Sequence, residues 1–218
     1  MKIAALTLAI LIGGAGYAQA PKSYLDPSYG KIQASDIVKP AQPFTLKLVV
    51  EFQRNGKHLP SVDGLLRSRV SDALESSGFA TVVPDSASVA DELSVVVNNI
   101  ADLGEARRKG FITGSTFFLK GSTVTDNYEM QATIIIAGKT VTRSGYKEAI
   151  QTIIGRGKVP AGIAGITLTD AVYKAFEQLV FQFLRDPPVA EFTKSSPSIS
   201  NSPQPTPATA PGQAAPSP

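Results

Sequence analysis

The chain of 218 residues has no cysteine and a single histidine, and these two shortages exclude more chemistry than any motif in it suggests. Without cysteine there is no disulfide, so the fold must hold by packing alone. The lipid-modified cysteine that anchors many bacterial envelope proteins is missing too, which excludes a conventional lipoprotein. Zinc sets built from cysteine and histidine cannot be assembled. Asp91-Glu92 and Asp102 with Glu105 are the nearest acidic pairs, and neither has the spacing of a calcium loop. No metal and no cofactor are expected. Charge of one sign is also scarce: the formal net charge is +3, one less once Lys2 is removed, too little for the basic stripe of a duplex nucleic-acid binder. No apolar run approaches the ~20 residues that span a bilayer. No period of some 20 to 50 residues recurs, so a solenoid is not expected.

What is present begins with an address. Met1-Lys2 gives a positive start, Ile3 to Ile12 is apolar except for Thr7, and Gly13 to Ala20 is small and polar. This is the layout of a secretory signal peptide, with cleavage expected after Ala18 or after Ala20. Ala18 is the better site, because Pro21 directly after the cut would constrain the scissile bond. The expected compartment is the periplasm or the exterior, with no transmembrane segment left after cleavage.

Four regions follow from composition: a signal peptide over 1–18, an extended lead-in over 19–43, one domain over 44–186 and a disordered tail over 187–218. The lead-in holds Pro21, Pro27, Pro40 and Pro43. From Ser195 to Pro218 the chain carries no charge and little bulky apolar surface, while proline recurs. Such a segment cannot bury enough surface to offset its ordering entropy.

Within the domain the periodicities alternate between 2 and 3.6 residues. Phe44, Leu46, Leu48, Val50 and Phe52 mark one face of a strand that stops at Asn55-Gly56. A helix over 61–77, capped by Ser61, places Val62, Leu65, Leu66, Val70, Ala73 and Leu74 on one stripe and ends at Gly78. Short strands are expected over 79–83 and from Leu93 to about Ala101, and another near 112–119. Tyr128 to Ile136 is a clear alternating strand, and Thr140 to about Ile154 another. A three-residue turn at 137–139 would put Met130 opposite Tyr146, Glu129 opposite Lys147 and Ile135 opposite Val141. Thr167 and Asp170 form a capping box before a last helix over 168–185, which must stop ahead of Pro187. The order β-α-β-β-β-β-β-α predicts an α+β two-layer sandwich, a mostly antiparallel sheet with both helices on one face.

Catalytic motifs fare poorly. His58 sits in a polar loop with no orienting acid or nucleophile evident in the sequence, and is expected to be exposed. Ser144-Gly145-Tyr146-Lys147 matches the S-x-x-K of penicillin-binding enzymes, but here it lies in a strand, where positions i and i+3 point to opposite faces. Gly155-Arg156-Gly157-Lys158 lacks the Ser or Thr that a phosphate-binding loop needs after its lysine. With Gly162 and Gly165 it reads as a flexible connection. The chain is therefore expected not to be an enzyme.

Binding candidates remain. Arg143 and Lys147, four apart on one strand and so expected on one face away from the helices, join Arg156, Lys158 and the run Arg107, Arg108, Lys109 as candidate anion contacts. Phosphates of lipid, lipopolysaccharide or a wall polymer would be their ligands. Phe111, Phe117, Phe118 and Leu119, set among glycines, are candidates for apolar contact with lipid or a partner.

The element order, with Leu65-Leu66-Arg67, Leu74 and Gly78-Phe79, resembles the small sandwich domain of Gram-negative envelope accessory proteins. The example is the outer-membrane lipopolysaccharide-assembly lipoprotein that plugs its β-barrel partner. That family carries a lipidated cysteine, which this chain lacks, and none of its binding residues carries over. The resemblance is one of fold, which does not carry function; the export signal, the complete sandwich and the want of a catalytic set lead to the expectation of a non-enzymatic accessory or interaction domain of the envelope. The alternatives are a carrier of lipid or lipopolysaccharide and a carboxylate-based glycan hydrolase, whose paired acids can converge from distant positions.

Overall fold

A computed structural model describes residues 22–100 and 121–194. Its strands are β1 (Lys22–Leu25), β2 (Phe44–Arg54), β3 (Lys57–His58), β4 (Ala80–Val82), β5 (Glu92–Ile100), β6 (Ser122–Ile136) and β7 (Lys139–Ile154). The helices are α1 (Pro60–Ser77), α2 (Leu168–Arg185) and α3 (Pro187–Lys194). The seven strands form one sheet in the order β1-β7-β6-β5-β2-β3, with β4 beside β2. The helices pack on one face, which is the expected α+β sandwich. The expected strand near 112–119, the run Arg107–Lys109 and the phenylalanine segment lie outside the described residues.

Most pairings are antiparallel, but β2 runs parallel to both β4 and β5. Parallel neighbours need a crossover, and α1 supplies it by carrying the chain back to the end where β2 began. The helix opens at Pro60 with Leu59 as N-cap, not at Ser61. Proline suits the first turn because the N–H it lacks would have had no helical partner. Gly78, at φ 70°, closes the helix in the left-handed conformation as expected.

One continuous core lies between the layers. Leu46 and Leu48 of β2, Leu93 and Val95 of β5, and Met130 and Ile134 of β6 face Leu66, Val70 and Leu74 of α1. Phe176, Leu179 and Phe183 of α2 complete it, Phe176 meeting Phe52 and Tyr128 at ring-centroid distances of 5.9 and 6.0 Å. Burying each such side chain contributes about 1.5–3 kcal/mol.

The edge of β2 has a gap between its short neighbours β3 and β4, and α1 fills it. Asp63 accepts the Phe52 N–H at 2.8 Å, and the Arg67 guanidinium donates to the Leu48 carbonyl. Asp85 holds the same guanidinium at 2.7 Å.

The β6–β7 hairpin corrects the expected register. Its turn has two residues, Ala137 and Gly138, with φ of 50° and 75°, and it pairs Ile134, not Ile135, with Val141. Positive φ at both positions matches the twist of the flanking strands. Further down, Gly145 (φ 88°) is an extra residue that interrupts the ladder between Met130 and Gln131. Beyond it the expected pairs Met130–Tyr146 and Glu129–Lys147 are present. A two-residue turn plus a one-residue bulge reaches the same offset as a three-residue turn, so the far end of the hairpin matches and the near end does not.

Both flanks of the domain carry structure where extended or disordered chain was expected. β1 pairs with Ile150–Ile153 of β7, and Ile32 and Ile37 after it enter the core. The Gln178 side chain holds the Ile32 backbone at both ends, accepting its N–H and donating to its carbonyl at 2.8 Å each. Four residues are too few for a periodicity to show, and the long edge of β7 supplies the partner. At the other end Pro187 and Pro188 do stop α2, yet they also begin α3. Val189 and Phe192 of that helix are buried against the core.

Candidate functional site

Because the helices cover one face only, the other face of the sheet is open. Its side chains form rows across β2, β5, β6 and β7. Val49, Ser94, Thr133 and Thr142 make one row, and Glu51, Val96, Gln131 and Ser144 the next. Gln53, Asn98, Glu129 and Lys147 follow, and Lys47, Glu92, Ile135 and Thr140 lie on the other side of the Val49 row. Among the described residues no helix packs on this face. Val49 is 49% exposed and Ile100, at the end of β5, 36%. The polar groups largely satisfy one another: Thr133 and Thr142 hydroxyls at 2.9 Å, Thr125 donating to Gln151 at 2.8 Å, and Gln53 to Glu51 at 2.7 Å. The result is a broad, weakly charged surface with apolar spots.

The bulge redistributes the expected anion contacts. Arg143 pairs with buried Ala132 and so lies on the helix side, its Nε 3.6 Å from Asp186 at the α2–α3 junction. Lys147 lies on the open face, 2.9 Å from Glu129. The expectation of one shared face fails because Gly145 shifts the alternation between them. Arg156 and Lys158 are exposed on the loop after β7, and at ~3.3 Å per residue Lys147 stands roughly 25 Å short of that loop. The four cations are not gathered into a patch.

The same shift overturns the expected separation of Ser144 and Lys147, which both lie on the open face. Catalysis still gains nothing from the pair. A base lysine needs a lowered pKa, whereas the hydrogen bond and charge of Glu129 raise that of Lys147. His58 is exposed as expected, but an acid does orient it: its Nε2 is 2.8 Å from Asp63. Asp63 lies five residues on, at the start of α1, a proximity visible only once β3 folds back beside the helix.

Three polar clusters on the helix side were not identified from sequence. Tyr146 donates to Asp186 at 2.5 Å while its ring meets Phe183 edge-on, and burial with the carboxylate raises the phenol pKa. Asp126 is raised mainly by burial, against the opposing pull of Arg54 and an Asn99 hydrogen bond. Glu148 is 1% exposed; burial raises its pKa to about 7, with the Ala149 hydrogen bond opposing and Asp26 adding to the shift. One Glu148 oxygen accepts the Ala149 N–H at 3.0 Å, and the other has no partner among the described residues. A signal for Glu148 existed, since it shares the core parity of Tyr146 in the pattern of β7.

Between α1 and α2, on the solvent side, a shallow groove of about 250 Å³ is lined by Arg69, Asp72, Ser76, Tyr173, Lys174 and Glu177. Arg69 stacks over Tyr173 at 4.3 Å and meets Asp72 at 3.1 Å. Its charges are mixed, and Arg69 and Asp72 pair with each other. Among the described residues no cluster of three acids or histidines has the geometry to hold a metal ion, and no helix is long and apolar enough to cross a membrane.

No protein-family profile and no curated protein matches the chain. Solved structures give distant likenesses. One is a PelC L103M dodecamer from Paraburkholderia phytofirmans, at 14% identity and TM-score 0.30, covering 74% of this chain and 96% of that one. A neuraminyllactose-binding hemagglutinin homologue from Helicobacter pylori gives 10% identity and TM-score 0.32, with 72% and 90% covered. A Xanthomonas campestris protein of family DUF330 gives 17% identity and TM-score 0.30, with the same coverage.

Proposed function

We propose that the chain is an exported, non-enzymatic accessory domain of the bacterial cell envelope that works by presenting its open sheet face to a partner protein. The observation that supports this most directly is the exposure of Val49 at the β2 end of a row of small polar side chains. A sheet face that stays uncovered normally carries polar residues; grouped apolar positions mark a contact surface, and Val96 and Ile135 stand in the rows on either side of the Val49 row. A protein partner is favoured over an anionic lipid or glycan, because the cations on this face and its margins are paired or apart.

Site-specific photo-crosslinking tests the reading. A crosslinking residue at Val49 or Thr133 on the open face, and a control at Tyr173 on the helix layer, would be exposed to envelope extract. Specific adducts from the sheet positions only are the expected result. Adducts from Tyr173 alone, or a turnover activity abolished by one point substitution, would overturn it.

A further inference from the structure

The first described residues are fastened to β7 beside a carboxyl group that has no counter-charge among the described residues. β1 ends at Leu25, so the Ala149 N–H that a longer strand would bind is left at the edge of β7. The chain contributes one bond past that point, from the Asp26 N–H to the Ala149 carbonyl at 2.8 Å. Glu148 turns its own carboxyl to accept the Ala149 N–H, and its second oxygen is buried without a partner among the described residues.

The groups around it do not favour ionisation. From the turn after β1 comes Asp26, held ionised by the Ser28 N–H and bonded to Gln151. From β6 comes Tyr128, directly opposite in the ladder. From α2 the reach to this edge is by neutral amides, Gln178 to Ile32 and Gln182 to the Lys147 carbonyl. On β7 itself Lys147 is engaged with Glu129 on the other face. A protonated carboxyl suits such a place, and a carboxylate there loses solvation without gaining a cation from the described residues.

We propose that Glu148 is a proton-operated latch for the segment 22–37: protonated, it lets β1 and the following turns lie on β7, and on ionising it releases them. Release relieves the ionised group. Lifting the segment removes Asp26 from its neighbourhood and admits water to the free oxygen. The bonds given up lie along one edge: the four pairings of β1, the two backbone bonds between Ser23 and Ile166, the Ser23–Thr152 hydroxyl contact, the Asp26 contacts and the Gln178 clasp on Ile32. Ile32 and Ile37 leave the core with the segment, while the packing of α1 and α2 on the central strands stays in place.

Amide exchange of the full chain at pH 5.5 and pH 8, corrected for intrinsic rates, reads this directly. In the wild type, protection of the Ser23, Asp26 and Ile32 amides should fall roughly tenfold at the higher pH, while β5 amides keep theirs. In Glu148→Gln, which keeps the acceptor for Ala149 and a neutral second atom, the fall should vanish. An equal fall in both proteins, no fall in either, or a fall shared by β5 would each overturn the latch. Should the variant not fold, the Glu148 carboxyl can be titrated by carbon NMR in the wild type. A midpoint matching that of the amide protection supports the latch, and a different midpoint overturns it.

Discussion

Asp63 and Arg67, one turn apart on α1, serve the same break in the edge of β2, the carboxylate taking the Phe52 N–H and the guanidinium the Leu48 carbonyl. A helix thus supplies the hydrogen bonds that a neighbouring strand would have made, and covers an edge otherwise open to association. Removing a charged partner leaves a backbone group unsatisfied, which costs about 1–3 kcal/mol. Arg67→Ala should lower the urea midpoint accordingly at unchanged m-value, and Asp63→Ala should do the same. A loss much below 0.5 kcal/mol would mean that water replaces the side chain.

Gly145 is the residue on which the β7 register turns. Its φ of 88° is costly for any residue with a side chain, so Gly145→Ala should destabilise by ~1–2 kcal/mol. Deleting Gly145 is predicted to be far worse, because every side chain on one half of the strand would move to the opposite face. Thermal unfolding of the substituted protein, and loss of soluble expression for the deletion, check the two outcomes.

The bond from Tyr146 to Asp186 fastens the start of α3 to the sheet. Tyr146→Phe keeps the ring against Phe183 and removes only the hydroxyl. A hydrogen bond to a charged acceptor is worth about 1.5–3 kcal/mol, and a loss in that range is expected in urea unfolding, with α3 amides losing protection first.

Stability should fall as pH rises toward neutrality. The folded-state pKa of Glu148 is raised from 4.5 to about 7, so the folded protein binds the extra proton between those values. Its contribution is fully present below about pH 4.5 and is lost as pH passes through about 7. Asp126, also raised, adds a slope of the same sign just above its ordinary value of 3.8. Asp26 is lowered, and its contribution is lost only on acidification below 3.8, outside that window. Urea midpoints between pH 5 and 8 should therefore decline for the wild type and be much flatter for Glu148→Gln.

How much of this was legible depends on segment length. Phe44 to Phe52 and Leu168 to Leu184 carry long, one-sided patterns, and both elements stand where those patterns place them. β1 has four residues and its partner is distant in sequence, so nothing local marks it. Pro187-Pro188 is ambiguous in principle, since proline ends one helix and opens another equally well. The bulge at Gly145 was hidden because its offset mimics a longer turn, and that one residue decided the faces of Arg143, Ser144 and Lys147. Glu148 was within reach, as an acid on the core parity of β7, but its burial depends on how the preceding segment wraps that edge.

The partnership of β1 with β7 also sets the order in which this molecule can be completed. Ser23 meets Thr152 across 129 positions of sequence, and Ile32 meets Gln178 across 146. A chain emerging amino end first must hold its opening strand idle until nearly all of the domain has followed, since neither partner exists sooner. Contacts so distant slow the final closure, and until it occurs the rim of β7 stays bare and open to a chaperone or to a neighbouring copy.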